Sequence, residues 1–289
     1  MARPSFPPTR LARGVIRVEG PDANHLLDRI ITCPMPSVGG ATLGALLTPQ
    51  GKILFEFILF TDETGFWVDL DAAMTADFLK RMTFYKLRAD VTLSDRSETH
   101  AIIASPEEID GAVISVTDPR HPDLGWRSIV ATEAAPSIED GGWHAHRVSL
   151  GIPEGGRDYA FSDAFPHDVG IDALGGVGFT KGCFVGQEVV SRMQHRGTAR
   201  RRPVIVSASG EINSGDSVTA AGKPIGSLGD VVDGIAIAIL RIDRLEQAQA
   251  KGATPMVGET PVEVTTPDWA TWMQAEETAE DAGETSASA

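Results

Sequence analysis

The sequence predicts an α+β fold in its first two-thirds, joined to a small antiparallel β-barrel or sandwich of about seventy residues. Three observations carry this. Amphipathic helical patterns mix with strand-like runs up to residue 197. The stretch "GTARRRP" (197–203) then marks a junction. Beyond it, "PVIVSA", "DSVTAAG", "KPIGSLGDVV", "GIAIAILR" and "TPVEV" follow one another, punctuated by Gly, Asn and Asp at the intervals expected of turns. The expected boundaries are 1–198 for the front domain, 199–272 for the barrel and 273–289 for a disordered acidic tail.

Each element has its own signal. "GVIRVEG" reads as a strand ending in a turn. In "PDANHLLDRII", Pro21 suits a helix start, Asp22 suits the positive end of the helix dipole, and Leu26, Leu27 and Ile30 share one face. "GALLTPQGKILFEFILFTDETGFWVDL" reads as three strands with turns at Pro49–Gly51 and Asp62–Gly65. "DAAMTADFLKRMTFY" places Met74, Phe78, Leu79 and Met82 at helical spacing, as core residues rather than a cofactor box. "ADVTLSD" returns as a strand, and "DRLEQAQAKG" is the one short helix or turn within the barrel. The tail "QAEETAEDAGETSASA" carries five acids and no base, too little apolar surface to fold.

Composition narrows the function. The chain has 289 residues, 42% hydrophobic and 22% charged, as in ordinary globular proteins. No apolar run reaches membrane-spanning length, so no membrane association is expected. Arg3, Arg10 and Arg13 precede "GVIRV" without an apolar signal core; this argues against a secretory signal and leaves little room for a transit peptide. With two cysteines, neither a disulfide framework nor a four-cysteine metal site is expected, and the reading is a reducing cytoplasm. His144, His146, His167 and His195 lack zinc-helix spacing, so no resident metal is expected. A net charge of −15 speaks against direct nucleic-acid binding. From Lys181 to Arg202, however, six basic residues face one acid. Such an island is either a local anion site or a solvated hinge.

The chemistry concentrates in "LGGVGFTKGCFVGQEVVSRMQHRGTARRR" (174–202). Gly175, Gly176, Gly178, Gly182 and Gly186 mark a loop that turns sharply or lets a ligand approach. A helix is predicted from near Gly186, with Gln187 and Glu188 in its first turn, a Glu188–Arg192 pair at i,i+4, a buried face of Val189, Val190 and Met193, and Gly197 ending it. Cys183 lies just ahead of that helix and two residues after Lys181. Both features favour a thiolate. Cys183 is therefore either a nucleophile, cluster ligand or redox-sensitive thiol, or a small buried hydrophobe. Cys33, before a proline in a helix-exit loop, reads as a core residue. No hydrolase elbow, P-loop or dinucleotide fingerprint is present.

"KGCFVGQEVVSR" resembles the signature of the YgfZ family, relatives of the glycine-cleavage T-protein. "VIRVEGPDANHLLDRIITC", "FYKLRADVTLSD", "LGIPEGGRDY", "FPHDVGIDALGGVGFTKGC" and "AGKPIGSLGDVV" are similar to further family blocks in the same order, covering residues 10 to 265. The resemblance implies two intertwined ferredoxin-like subdomains and a C-terminal β-barrel around a tetrahydrofolate-sized channel. It implies an accessory role in 4Fe–4S cluster assembly or repair, with indirect effects on tRNA thiomethylation, and partners among iron–sulfur assembly proteins and 4Fe–4S client enzymes.

The resemblance carries over Lys181, Gly182, Cys183, Gly186, Gln187, Glu188 and Arg192, with Cys183 and Lys181 as the chemically active pair. A lone cysteine cannot hold a cluster by itself, so a transient 4Fe–4S cluster would be shared with a partner. For the folate, Arg147, Asp168 and Arg196 are the candidate contacts, and the arginines at 192, 196 and 200–202 could meet its glutamate tail. Three departures stand out. Phe184 replaces a usual tyrosine, Val169–Gly170 replaces a small residue followed by Asn, and Ser149 replaces the glutamate that holds the pterin in the T-protein. A hydroxyl cannot accept two parallel N–H bonds as a carboxylate can; Asp168 could substitute. The alternative reading is a tetrahydrofolate-dependent one-carbon (aminomethyl-type) transferase.

Overall fold

The computed structural model describes residues 6–137, 142–197, 199–270 and 272. The expected acidic tail at 273–289 lies outside them. The front of the chain runs β1 (Thr9–Leu11), β2 (Arg13–Glu19), α1 (Ala23–Ile30), β3 (Ala41–Leu47), β4 (Ile53–Asp62), β5 (Gly65–Asp71), α2 (Thr75–Lys86) and β6 (Thr92–Asp95). It continues with β7 (His100–Ser105), β8 (Ile114–Thr117), β9 (Trp126–Ala131), α3 (Trp143–Ser149) and α4 (Gln187–Arg196).

These strands make two antiparallel sheets, ordered β3-β4-β5-β2-β6 and β1-β7-β9-β8. Only Ala12 separates β1 from β2, yet the two join different sheets. The chain thus threads the two halves through each other, as the expected intertwined subdomains require. Alternation explains the layering, since successive strand residues face opposite sides. Val15, Ile58, Phe60 and Trp67 of the first sheet pack between the sheets against Ile102, Ile114 and Ile129 of the second. The other face of the first sheet is covered by α1 and α2 through Leu26, Leu27, Ile30, Phe78 and Met82.

Helix α1 starts two residues later than Pro21 suggested. Asp22 sits at its N-cap, where its carbonyl accepts the Leu26 amide at 2.9 Å, but its side chain does not cap the helix; the carboxylate accepts the Asp90 amide at 2.8 Å instead. The helix predicted from Gly186 is α4, and Gly186 and Gly197 flank it in the left-handed conformation. Of its expected buried face only Val190 is fully buried; Val189 and Met193 are half-buried.

The carboxyl-terminal unit contains β10 (Arg201–Ser207), β11 (Ser217–Ala220), β12 (Lys223–Val232), β13 (Ile235–Arg241), α5 (Ile242–Gln249), β14 (Met256–Val257), β15 (Thr260–Pro261) and β16 (Glu263–Thr265). The strands form one curled antiparallel sheet in the order β15-β14-β11-β12-β13-β10-β16. Its core is small and aliphatic: Val204, Val206, Val218, Leu228, Ala236, Ala238 and Leu240. The register between β12 and β13 shifts between Leu228 and Val231. That irregularity brings Gly229 and Asp230 against the front domain, where a Cβ on Gly229 would lie 2.5 Å from the Asp158 Cα.

Candidate functional site: a strapped thiol loop and a central cavity

The glycine-rich loop ahead of α4 is held at both ends and free at its tip. On one side it is strapped to the loop after α1. The Gly178 amide donates to the Thr32 carbonyl at 2.8 Å, and the Thr32 hydroxyl donates to the Gly176 carbonyl at 2.7 Å. The Lys181 ammonium donates to the carbonyls of Ile31 at 2.9 Å and Cys33 at 2.8 Å, and lies 3.3 Å from the Asp28 carboxylate. Its stem packs on Gly178, where a Cβ would sit 2.9 Å from Cγ and Cδ of the lysine. On the other side, Gly186 abuts the β3–β4 turn. With φ at +81° and a hypothetical Cβ 2.7 Å from the Thr48 carbonyl oxygen, no other residue fits without movement. Phe184 is buried beneath the loop.

Cys183 and Gly182 stand exposed at the tip, and space is open around Gly182. The core-residue alternative for Cys183 is therefore overturned. Cys33 behaves as expected of a core residue: it is wholly buried, and burial pushes its thiol up to about 12. The expected partnership of Lys181 with Cys183 takes a different form. The ammonium's partners are the Ile31 and Cys33 carbonyls and Asp28, so Lys181 shapes the loop rather than facing the thiol. Gln187 opens α4, and Glu188 and Arg192 make the predicted pair at 2.5 Å on its exposed side.

The basic island is largely spent on its own carboxylates. Arg201 lies 3.4 Å from Asp163 and 3.8 Å from Asp168, and Arg202 lies 3.0 Å from Asp172 while donating to the His167 carbonyl. Arg196 and Arg200 are exposed. None of these arginines lines the central cavity. The expected glutamate-tail site is thus not assembled there.

That cavity, of about 800 Å³, opens where the two front sheets, α3 and the barrel meet. Arg13, Asp71, Trp143, His144, Glu154 and the barrel's Asp230 are among its lining residues. Neither Arg147, Asp168 nor Arg196 lines it. Arg147 lies fully buried and donates to the Asp158 carboxylate at 2.6 Å, with Nε 3.5 Å from Glu154. Asp168 is held apart, accepting the Phe165 amide at 3.1 Å; burial raises its carboxyl. Ser149 is exposed and its hydroxyl donates to the His146 carbonyl of its own helix.

Among the carboxylates that line the cavity, Glu154 is one that the sequence reading passed over. Five residues after Ser149 in "LGIPEGG", it carried no periodic signal. It accepts from Arg13 at 2.8 Å. Behind it runs a buried ionic network. Asp69 accepts from Arg13 at 2.6 Å and from Arg127 at 2.8 Å, and Asp118 pairs bidentately with Arg120. Burial pushes the Glu154 carboxyl up, but Arg13, Arg147, Arg120 and Arg127 outweigh it and hold the group at about 2. The nearby Glu56 is raised by burial and accepts a hydrogen bond from the Tyr159 hydroxyl.

The sign of the resulting pH dependence follows. Glu154 titrates lower when folded than when unfolded, so its contribution is complete above the unfolded value near ~4.3 and is lost as pH falls toward about 2. This group alone contributes roughly 3 kcal/mol across that window. Urea midpoints are expected to hold between pH ~7 and ~5.5 and to fall steeply below ~4.5. A Glu154→Gln variant should start lower and fall less steeply. An equally steep fall would remove Glu154 from the acid-labile set.

The cavity has the volume of a small-molecule site. Trp143 contributes an aromatic wall, with its own indole N–H buried and without an acceptor among the described residues. Its size, the Trp143 wall and the lining Arg13 and Glu154 suit a folate-sized heteroaromatic ligand. No group of three or more His, Cys, Asp or Glu among the described residues is arranged to hold a metal ion. No helix there is long and apolar enough to cross a membrane.

Residues 200–272 match the family described as the CAF17 C-terminal beta-barrel domain. The human protein named "Iron-sulfur cluster assembly factor IBA57, mitochondrial" is 30% identical over 274 residues, covering 81% of this chain and 77% of its own. The mouse protein of the same name is 27% identical with the same coverage. A Neurospora crassa homologue is 31% identical over 66% of this chain and 51% of its own. Among solved structures, the glycine cleavage system aminomethyltransferase T of Bartonella henselae superposes with a TM-score of 0.68 over 91% of this chain and 86% of its own. At 13% identity that likeness establishes the fold. The relatives are named as mitochondrial proteins, a different compartment from the cytoplasm read from the sequence. The fold is that of aminomethyltransferase T with a CAF17-type barrel, and by its shared sequence the chain belongs to the IBA57-like family of iron–sulfur cluster assembly factors.

Proposed function

We propose that this protein is a YgfZ-type accessory factor in the assembly or repair of 4Fe–4S proteins, acting through the Cys183 thiol. The observation that carries this reading is the contrast between the two cysteines: Cys33 is wholly buried, while Cys183 is presented at the free tip of a loop strapped on both sides. An exposed single thiol can supply one ligand to a cluster passing between proteins; the remaining ligands must come from a partner. The cluster is thus cargo shared with an assembly protein or a client enzyme. Effects on tRNA thiomethylation would arise through such clients, in the cytoplasm or another reducing compartment. The chain's charge of −15 favours protein partners over direct nucleic-acid contact.

Tetrahydrofolate is the proposed ligand of the central cavity, with Trp143, Glu154 and Arg13 as the groups that would hold it. The fold likeness to an aminomethyltransferase is not a reason to propose one-carbon transfer, because likeness at 13% identity does not extend to chemistry.

The test is Cys183→Ala in a strain lacking the protein, reading the activity of a 4Fe–4S enzyme. Because Cys183 is exposed, stability is expected to change by no more than about 0.5 kcal/mol, while the enzyme activity falls to the level of the deletion strain. Full activity in the variant would sink the proposed role of the thiol.

A further inference from the structure

The exposed face of α2 does not behave like a solvated helix face. Phe84 is 68% exposed and Leu87, just past the helix end, is 80% exposed. Leu87 is also held at φ +45°, ψ −104°, a conformation that costs a non-glycine residue of order 1–3 kcal/mol. Phe84 walls a groove of about 490 Å³ between α2 and the start of β4. The floor is apolar, with Leu54, Met74 and Phe161 among its residues, and Lys80 and Arg81 stand at it beside a single acid, Asp77. Arg88, one residue past Leu87, is exposed as well. A basic, apolar groove is the exception on a chain whose net charge is −15.

The groove and the thiol loop are linked through one apolar core and one strand. Leu54 and Met74 pack on the same core as Val185, two residues after Cys183. The β3–β4 turn touches Gly186 and Val189 through Gly51, and Leu54 is three residues further along, roughly 10 Å at strand rise.

We infer that this groove docks an acidic segment of a protein partner, seating one leucine or aromatic anchor against Phe84 with its carboxylates on Lys80 and Arg81. A concave apolar floor with a charged rim is how proteins take amphipathic segments. The chain's overall negative charge disfavours an anionic lipid surface. The inference rests on the proposed exchange at Cys183, because docking here would bring a partner's ligands to that loop.

The probe is a fluorescently labelled acidic peptide with a leucine and a phenylalanine one helical turn apart, titrated by anisotropy against the whole protein. A companion peptide carries serine at both anchors. Phe84→Ser and Arg81→Glu change exposed residues and should leave the fold intact. Saturable binding is expected, weakened about tenfold or more by either substitution and by the serine anchors. Binding that ignores the anchors or the substitutions would overturn the inference. So would tight binding to vesicles of anionic phospholipid in place of the peptide. A concentration-dependent dimer abolished by Phe84→Ser would assign the groove to a second copy instead. In the complementation strain, loss of activity with Cys183→Ala but not with Arg81→Glu would leave the thiol role standing and the docking role refuted. Peptide binding with full activity of Cys183→Ala would do the reverse.

Discussion

Replacing Asp69 with alanine is expected to destabilise the protein by about 3–5 kcal/mol. Both carboxylate oxygens are used, one by Arg13 and one by Arg127, and neither Asp69 nor Arg127 has any exposure. Without Asp69, the one carboxylate left to Arg127 among the described residues is Asp118 at 3.9 Å, while Arg13 keeps Glu154. A buried guanidinium left without its carboxylate costs far more than the intact pair contributes. Since domains are stable by only about 5–15 kcal/mol, the variant should sit near unfolding at ambient temperature. Urea titration of the wild type, Asp69→Ala, Arg127→Met and the double variant closes the cycle. The double variant is expected to lose clearly less than the sum of the singles, because it removes the stranded charge. Additive losses, or a loss below about 1 kcal/mol for Asp69→Ala, would show that the network is not the element that locks β2, β5 and β9 together.

The same network marks the limit of what the sequence could show. The β3–β4–β5 meander, α2 and α4 were legible because their apolar residues repeat at the strand or helix period between turn-forming residues. The second sheet was not. Its strands are short, and both faces are buried, with the polar Arg127, Ser128 and Ser105 among the buried residues, which breaks the alternation that announces a half-buried strand. Arg13, Asp69 and Arg127 meet from three separate strands, and no local pattern encodes that meeting. The thiol loop was visible from its glycines and its helix start. What the loop is strapped to was not: Thr32 and Gly176 are far apart in sequence, and Glu154 reaches the cavity from an irregular segment.

Replacing Lys181 with methionine separates two roles that sequence proximity alone confuses. If the lysine served mainly to activate its neighbour, its loss would slow alkylation of Cys183. The geometry predicts otherwise. Methionine keeps much of the stem that packs on Gly178 but strips the donor from the Ile31 and Cys33 carbonyls. Charged hydrogen bonds of this kind contribute about 1.5–3 kcal/mol each, and the loss falls on one strap rather than on the whole fold, so it favours local opening. The sheltered thiol reports that opening. Cys33 has no exposure and its thiol is pushed up to about 12 by burial, so in the wild type iodoacetamide should label Cys183 alone. In Lys181→Met, Cys33 is expected to become labelled within the same exposure time, as read by mass spectrometry, while Cys183 is labelled at the same rate in both proteins. Activity of the 4Fe–4S enzyme in the complementation strain should fall even though Cys183 is intact. A Cys33 that stays protected, together with slowed labelling of Cys183, would reverse the assignment and return Lys181 to the chemistry of the thiol.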